Sequence, residues 1–247
     1  MVGEMLNKHI ASEKAEQVEE HAHVALGTAS ATEGPHMHTV SARRNLMLVL
    51  AARGKHHQAI ALGHRQLDDV RQLVGPIHPM TLSALKDVTS VLLSVNAFSL
   101  ALPLLREAVE SSREFFGSEQ HEDVLAFRML LGQALGAQGL SAEAHPVLRA
   151  SWITAKQLYG EDAEQTLLAG SSLAAVLMEL GGYCEAEALL ECYADVSEKV
   201  HGTKSAQARE AKSRLKHCRA LIAKSWWYRH RSTSSSTSEI TAVGSRS

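Results

Sequence analysis

Residues 54–75, GKHHQAIALGHRQLDDVRQLVG, are the stretch that decides the fold. Three later stretches have the same length and align with it without a gap: NAFSLALPLLREAVESSREFFG (96–117), GLSAEAHPVLRASWITAKQLYG (139–160) and GGYCEAEALLECYADVSEKVHG (181–202). Each begins with a turn-forming residue, carries alanine at its sixth position (Ala59, Ala101, Ala144, Ala186) and ends in glycine. The chain therefore contains an internal repeat.

The glycines give the period of this repeat. Gly34, Gly75, Gly117, Gly160 and Gly202 are 41, 42, 43 and 42 residues apart. A tight turn at Gly54, Asn96, Gly139 and Gly181 would join two antiparallel helices, and the small alanine one turn later would let them approach closely. The terminal glycine suits the left-handed position that closes a helix. The repeat thus predicts pairs of antiparallel helices.

The segments before each turn predict the first helix of each pair. TVSARRNLMLVLAAR (39–53), MTLSALKDVTSVLLSV (80–95), EDVLAFRMLLGQALGAQ (122–138) and EQTLLAGSSLAAVLMEL (164–180) are apolar around most of their circumference. Such helices are buried on more than one side. We therefore expect an all-α protein, an α-solenoid in which each helix pair shelters its neighbour.

The period also predicts the domain organisation. Four repeats cover residues 34–202, as 34–74, 75–116, 117–159 and 160–201. Residues 1–33 read as a partial N-terminal repeat, because EKAEQVEEHAHVALGTASATEG (13–34) has the length of a second helix. Residues 203–231 predict a basic capping helix, and the Ser/Thr-rich residues 232–247 a disordered tail.

These segments resemble the tetratricopeptide repeat (TPR), in the form of about 42 residues found in kinesin light chains. NLMLVLAARGKHHQA (45–59) resembles the family's Asn-Leu-Ala helix followed by Gly-Lys-Tyr-x-x-Ala. GPIHPMTL (75–82) and GEDAEQTL (160–167) resemble its Gly-x-x-His-Pro-x-Thr-Leu linker. The family's asparagine is kept once; the column reads Asn45, Asp87, Leu130 and Ser172. The resemblance implies a right-handed superhelix that binds a protein segment in its inner groove.

Composition narrows the function classes. The net charge of -2 argues against a nucleic-acid partner. An odd number of cysteines, Cys184, Cys192 and Cys218, favours reduced thiols and a cytoplasmic location. The N-terminus is charged within four residues and lacks the apolar stretch of a signal peptide.

Fourteen histidines raise the question of a metal site. His21 and His23, and His36 and His38, are spaced by two residues, whereas two ligands on one helix face need a spacing of three or four. We therefore expect no metal and no cofactor. No motif of a catalytic or nucleotide-binding site is present, and we expect no enzymatic activity.

Equivalent positions of successive first helices predict a peptide-binding groove. The candidates are Arg44, Asn45, Leu48, Lys86, Ser90, Met129 and Gln133. From the resemblance, Arg44 and Lys86 would pair with acidic residues of a ligand, and Asn45 would bond to its backbone. The alternative is that some of these side chains only solvate the groove.

The charge is distributed unevenly. Residues 203–247 hold ten basic and two acidic residues, a net of +8, which leaves -10 on residues 1–202. Arg209, Lys212, Lys216 and Arg219 recur on one face of the predicted capping helix, followed by Trp226 and Trp227. This pattern fits an anionic membrane surface or an acidic protein. It also fits the solvated outer face that any terminal cap needs.

The sequence therefore favours a non-enzymatic adaptor or scaffold that binds a peptide or helix segment, and the resemblance implies cargo recognition of the kinesin light chain kind. The alternative is a regulatory or self-association region of a larger enzyme or signalling protein, of which this chain would be a fragment. The incomplete first repeat favours that alternative.

Overall fold

The computed structural model describes residues 16–28 and 36–240, with side chains up to Ser225. This part of the chain is helical and contains no strand. Its helices are α1 (16–28), α2 (Met37–Ala52), α3 (His56–Val74), α4 (Pro79–Ser94), α5 (Phe98–Phe116), α6 (Glu122–Ala137), α7 (Ser141–Tyr159), α8 (Glu164–Glu179), α9 (Tyr183–His201) and α10 (Ala206–Ile240). Within the described ranges, no helix has the length and apolarity to cross a membrane.

The helices alternate between two fixed lengths. The first helices α2, α4, α6 and α8 have 16 residues each, and the second helices α3, α5, α7 and α9 have 19. Three residues separate the members of each pair, a connection that makes neighbouring helices antiparallel. The prediction of an all-α repeat of helix pairs is confirmed. One pair lies in each of the ranges 34–74, 75–116, 117–159 and 160–201.

The turn inside each pair has the conformation that its residue type requires. The φ angles of Gly54, Gly139 and Gly181 are 74°, 79° and 82°, and that of Asn96 is 57°. This left-handed region excludes most side chains but tolerates asparagine. The alanine that follows five residues later is fully buried in all four pairs, as the sequence predicted.

The linkers between pairs follow two designs. Gly75 and Gly160 have positive φ with ψ near the extended value, 170° and 173°, instead of the left-handed helical conformation expected from the sequence. Glycine alone adopts this backbone region readily. The carbonyls of these glycines accept hydrogen bonds from Thr81 and Thr166 at 2.6 and 2.7 Å. This bond explains the Gly and Thr of the linker motif.

The linker after Gly117 follows the second design. Gly117 is left-handed helical, as predicted, with φ 63° and ψ 16°. Its linker has one residue more before the next helix, and Val124 stands where the other linkers have threonine. The second design therefore combines a left-handed helical glycine with a longer connection and no threonine at this position.

Histidines begin two of the first helices. His78 Nδ1 accepts a hydrogen bond from the Met80 backbone N–H at 3.2 Å, and His121 Nδ1 accepts one from the Asp123 N–H at 3.2 Å. Each ring satisfies one of the N–H groups that a helix start leaves without a partner.

The chain divides into two compact units, residues 1–134 and 135–247, and α6 runs across the division. In the first unit, α1 is attached to the turn between α2 and α3, where Glu19 binds Arg53 and Lys55. The core of this unit includes Leu82, Leu85 and Phe127. In the second unit, Leu167, Tyr193 and Ala211 form a core between α8, α9 and α10.

The two cores have a large and a small residue at the same two positions, but in the opposite order. The eleventh residue of the second helix is Ala108 in α5 and Tyr193 in α9, and the sixth residue of the helix that follows is Phe127 in α6 and Ala211 in α10. Each pair lies in one buried cluster. One aromatic ring therefore fills the space in each unit, from α6 in the first unit and from α9 in the second. The total side-chain volume at the two positions is thus similar in both units.

The last helix is longer than predicted. It continues to Ile240, through residues 232–240, so 231 is not a helix end. Extending a formed helix adds a hydrogen bond per residue without a new nucleation cost, and a Ser/Thr-rich segment can follow it. Residues 241–247, most of the predicted N-terminal partial repeat and the side chains of Trp226 and Trp227 lie outside what the structure describes.

Candidate functional site

The seven residues predicted to form the groove lie on three first helices of the first unit. We call this set the first-helix face: Arg44, Asn45 and Leu48 on α2, Lys86 and Ser90 on α4, Met129 and Gln133 on α6. Six of them are exposed, and Met129 is half-buried. The opposite side of α2 is buried, with Leu46, Met47 and Leu50 in the core. The face therefore presents polar groups around the 40% exposed Leu48.

Arg44 has a partner within the chain. Its guanidinium binds the Asp87 carboxylate on α4 with two hydrogen bonds, one of which, from Nη2 to Oδ1, is 3.1 Å long. This hydrogen bond and the adjacent negative charge raise the pKa of Arg44. The pair joins α2 to α4 across the face. A ligand carboxylate would therefore have to replace Asp87 to bind Arg44.

Lys86 is the cation of this face that has no such partner. It is exposed and makes no ion pair with the described side chains of residues 16–28 and 36–225. It borders a cleft of about 200 Å³ between α4, α5 and α6 whose walls include Leu82, Phe116 and Phe127. Asp123 on α6 also lines this cleft. The cleft shows that the faces of α4 and α6 adjoin.

Asn45 lies at the other edge of the first-helix face. With Met37 and Ala42 it lines an open depression of about 860 Å³ between α1 and α2, to which α1 contributes Ala25 and Thr28. An asparagine amide offers both donors and an acceptor. The exposed Asn45 can therefore bind the backbone of a segment lying on α2.

Two of the four residues of the predicted basic face of α10 form ion pairs with α9. Lys212 forms an ion pair with Glu198, and Arg219 donates to Glu187 at 2.7 Å and to Glu191 at 2.5 Å. These carboxylates raise the pKa of Arg219.

The other two basic residues of that face have no carboxylate partner among the described side chains. Arg209 donates to the Ser205 carbonyl of its own helix start at 3.3 Å, whereas Lys216 makes no ion pair with a described side chain. The three ion pairs of Lys212 and Arg219 thus join α10 to α9, and two of the four basic residues of this face have carboxylate partners within the chain.

The helix α10 occupies the position of a further first helix. Arg214 on α10 donates to the Ser171 hydroxyl on α8 at 2.7 Å, and these residues are 43 apart in sequence. Arg44 and Asp87, on α2 and α4, have the same separation. A polar contact between the eighth residue of one helix and the ninth residue of the next first helix, counting α10 as one, thus occurs in both units. The aligned repeats do not reveal these contacts, because each bond joins a residue of one repeat to a residue that is shifted by one position in the next repeat.

The histidine-rich sequence does not assemble a metal site in the part of the chain that the structure describes. Within residues 16–28 and 36–240, no three His, Cys, Asp or Glu residues converge on a position that could hold an ion. Phe116 stacks on His121 at a centroid distance of 3.5 Å. Burial raises the pKa of the Cys218 thiol.

The comparisons with known proteins identify the fold. No protein-family model matches the chain, and no curated protein matches it in sequence. Its structure is similar to the TPR-like repeats of a Podosopora anserina protein assigned as a kinesin light chain. The TM-score is 0.68 at 18% identity, over 80% of this chain and 93% of that one.

Two further solved structures are similar. BtubC from P. vanneervenii has a TM-score of 0.60 and 15% identity over 92% of either chain. Rap protein, complexed with Competence and Sporulation Factor, has a TM-score of 0.59 and 14% identity over 81% of this chain and 53% of that one. The chain has a tetratricopeptide-like repeat fold. Its repeats are similar in structure to those of the kinesin light chain-like protein from Podosopora anserina.

Proposed function

We propose that this chain is a non-enzymatic adaptor or scaffold that binds a peptide or helix segment of another protein on the first-helix face. The observation that carries the proposal is the exposure of Leu48 among hydrogen-bonding side chains, on helices whose other sides are buried. A surface of this composition offers an apolar contact and several directional polar ones, which suits a peptide.

The chemistry of the face indicates how a segment would bind. Leu48 would contact an apolar side chain, Asn45 would bond to the backbone, and Lys86 would bind a carboxylate. Arg44 could serve a ligand only by leaving Asp87, so Lys86 is the stronger candidate for an acidic residue. The face therefore fits a segment that combines an apolar and an acidic residue.

The similar structures support binding by this fold in general terms. Rap protein carries Competence and Sporulation Factor in its solved structure. Cargo recognition of the kinesin light chain kind is the more specific form of the proposal, suggested by the repeats of the Podosopora anserina protein. We also propose a cytoplasmic location, supported by Cys184, Cys192 and Cys218, none of which forms a disulfide.

Affinity capture with matched variants tests the face. Leu48→Glu/Ser90→Glu places two charges on it, whereas Ala61→Glu/Ser99→Glu places the same charges on exposed positions of α3 and α5. Proteins retained by the wild type and the control, but lost with the face variant, would support the proposal. If the face variant retains the same proteins as the control, the binding surface lies elsewhere.

Any acidic segment captured in this way then tests Lys86. Lys86→Gln should weaken its binding about tenfold and reduce the dependence on salt, because one charge-assisted hydrogen bond is lost. Lys204→Gln, at an exposed position of the linker before α10, is the control. Asp87→Asn should strengthen binding, because it releases Arg44. Equal affinities of all four proteins would contradict a role for either cation.

A further inference from the structure

The second unit contains a cleft that the proposed function does not use. It encloses about 180 Å³ between α8, the end of α9 and the start of α10. Its walls are Leu167, Leu168, Tyr193, Val196 and Val200. Leu168 is 43% exposed and Val200 is 64% exposed, so two of these apolar side chains lie open to solvent at the mouth. A cavity of this size accommodates one large apolar side chain.

Carboxylates surround this apolar cleft. Asp162, Glu164 and Glu210 line it, and no lysine or arginine does. Glu210 is bound to Arg214 at 2.6 Å, and Glu164 lies 3.9 Å from His201. Asp162 is exposed and makes no ion pair with the described side chains of residues 16–28 and 36–225. The lining thus has a surplus of negative charge, which favours a cationic partner.

The equivalent cleft of the first unit has neither the exposed leucine nor the surplus of carboxylates that the cleft of the second unit has. There, Ser83 occupies the position of Leu168, and Phe116 occupies that of His201. Phe116 stacks on His121 within the chain, and Lys86 is part of the lining. The first cleft therefore lacks the exposed leucine and the excess of carboxylates.

We infer that the cleft between α8, α9 and α10 is a binding site for a peptide segment that presents one large apolar side chain flanked by lysine or arginine. The apolar side chain enters between Leu168 and Val200, and the flanking cations bind Asp162 and Glu164. This partner is opposite in charge to the acidic segment proposed for the first-helix face. The two sites thus select different segments.

Fluorescence anisotropy with two labelled probe peptides tests this site. One probe has a central phenylalanine flanked by lysine and arginine, and its twin has glutamate in place of each basic residue. The basic probe should bind the full chain, its affinity should fall as salt is added, and its acidic twin should bind at least about tenfold more weakly. Equal binding of the two probes would overturn the inference.

Three variants localise the binding. Leu168→Ser, which installs the residue of the first cleft, should weaken the basic probe about tenfold, because it removes exposed apolar contact area without disturbing the core. Leu180→Ser removes another exposed leucine of this unit outside the cleft and should have no effect. Asp162→Asn/Glu164→Gln should bring the affinities of the two probes together.

The remaining outcomes also decide the question. If Leu168→Ser and Leu180→Ser weaken binding equally, the cleft is not the site. If the basic probe does not bind and the wild-type chain self-associates in a manner that Leu168→Ser abolishes, the occupant is a second copy of this chain, and the inference of a basic peptide partner is wrong. Circular dichroism of each variant establishes that its helices are formed.

Discussion

The exchange of a large and a small residue between the two units makes a quantitative prediction about Phe127. Its side chain is 3% exposed and lies in one core cluster with Ala108. Phe127→Ala should cost about 3–5 kcal/mol of unfolding free energy, the usual cost of removing a buried phenylalanine and leaving a cavity. Ala108→Tyr alone should cost about 1–3 kcal/mol, because it adds a ring to a filled core.

The double variant Ala108→Tyr/Phe127→Ala reproduces the arrangement of Tyr193 and Ala211 in the second unit. It should be more stable than the sum of the two single effects predicts, by more than about 1 kcal/mol, because the new ring occupies the new cavity. Urea denaturation followed by circular dichroism gives the three free energies relative to the wild type. If the costs are additive, the two side chains do not share one space, and the interpretation of the exchange is wrong.

Three further perturbations have expected results. Ala144→Glu puts a carboxylate at a fully buried position and should cost several kcal/mol or prevent folding, whereas Ala142→Glu at an exposed position of the same helix should be nearly neutral, as thermal denaturation will show. His78→Ala removes the acceptor at the start of α4 and should cost about 1 kcal/mol in urea, whereas His78→Asn should retain most of that stability. A hydrogen bond from Lys55 lowers the pKa of Glu19, so its stabilisation is present above the pKa of the unfolded chain and is lost as the pH falls through the folded value. Glu19→Gln should therefore lower the urea midpoint at pH 7 more than in acid; a constant difference would contradict this assignment.

The sequence predicted the repeating part of the fold because its signals are local. Turn residues with positive φ and a small residue one turn later each act within a few residues, and the structure confirms their roles. The extended conformation of Gly75 and Gly160 was not predicted, because a glycine that ends a helix can adopt either conformation. At these two positions the extended one accompanies a hydrogen bond from a threonine six residues ahead.

The electrostatics of the candidate sites could not be predicted in the same way. The pairing of Arg44 with Asp87, and of Arg219 with Glu187 and Glu191, depends on which side chains meet across two helices. The repeat alignment predicts which helix carries each charged residue, but not the side-chain conformation that brings two charges together. The cleft of the second unit was missed for a related reason, since its mouth is formed by three helices at their ends.

The reciprocal placement of Phe127 and Tyr193 bears on how an ordered stack is assembled from similar modules. A junction that met both rings would be overfilled. Engineered chains with permuted modules should therefore stack at some junctions and fail at others. Within the natural chain, we expect this incompatibility to disfavour the stacking of repeats that are not adjacent in sequence during folding. Sequences with nearly identical modules would lack this selectivity.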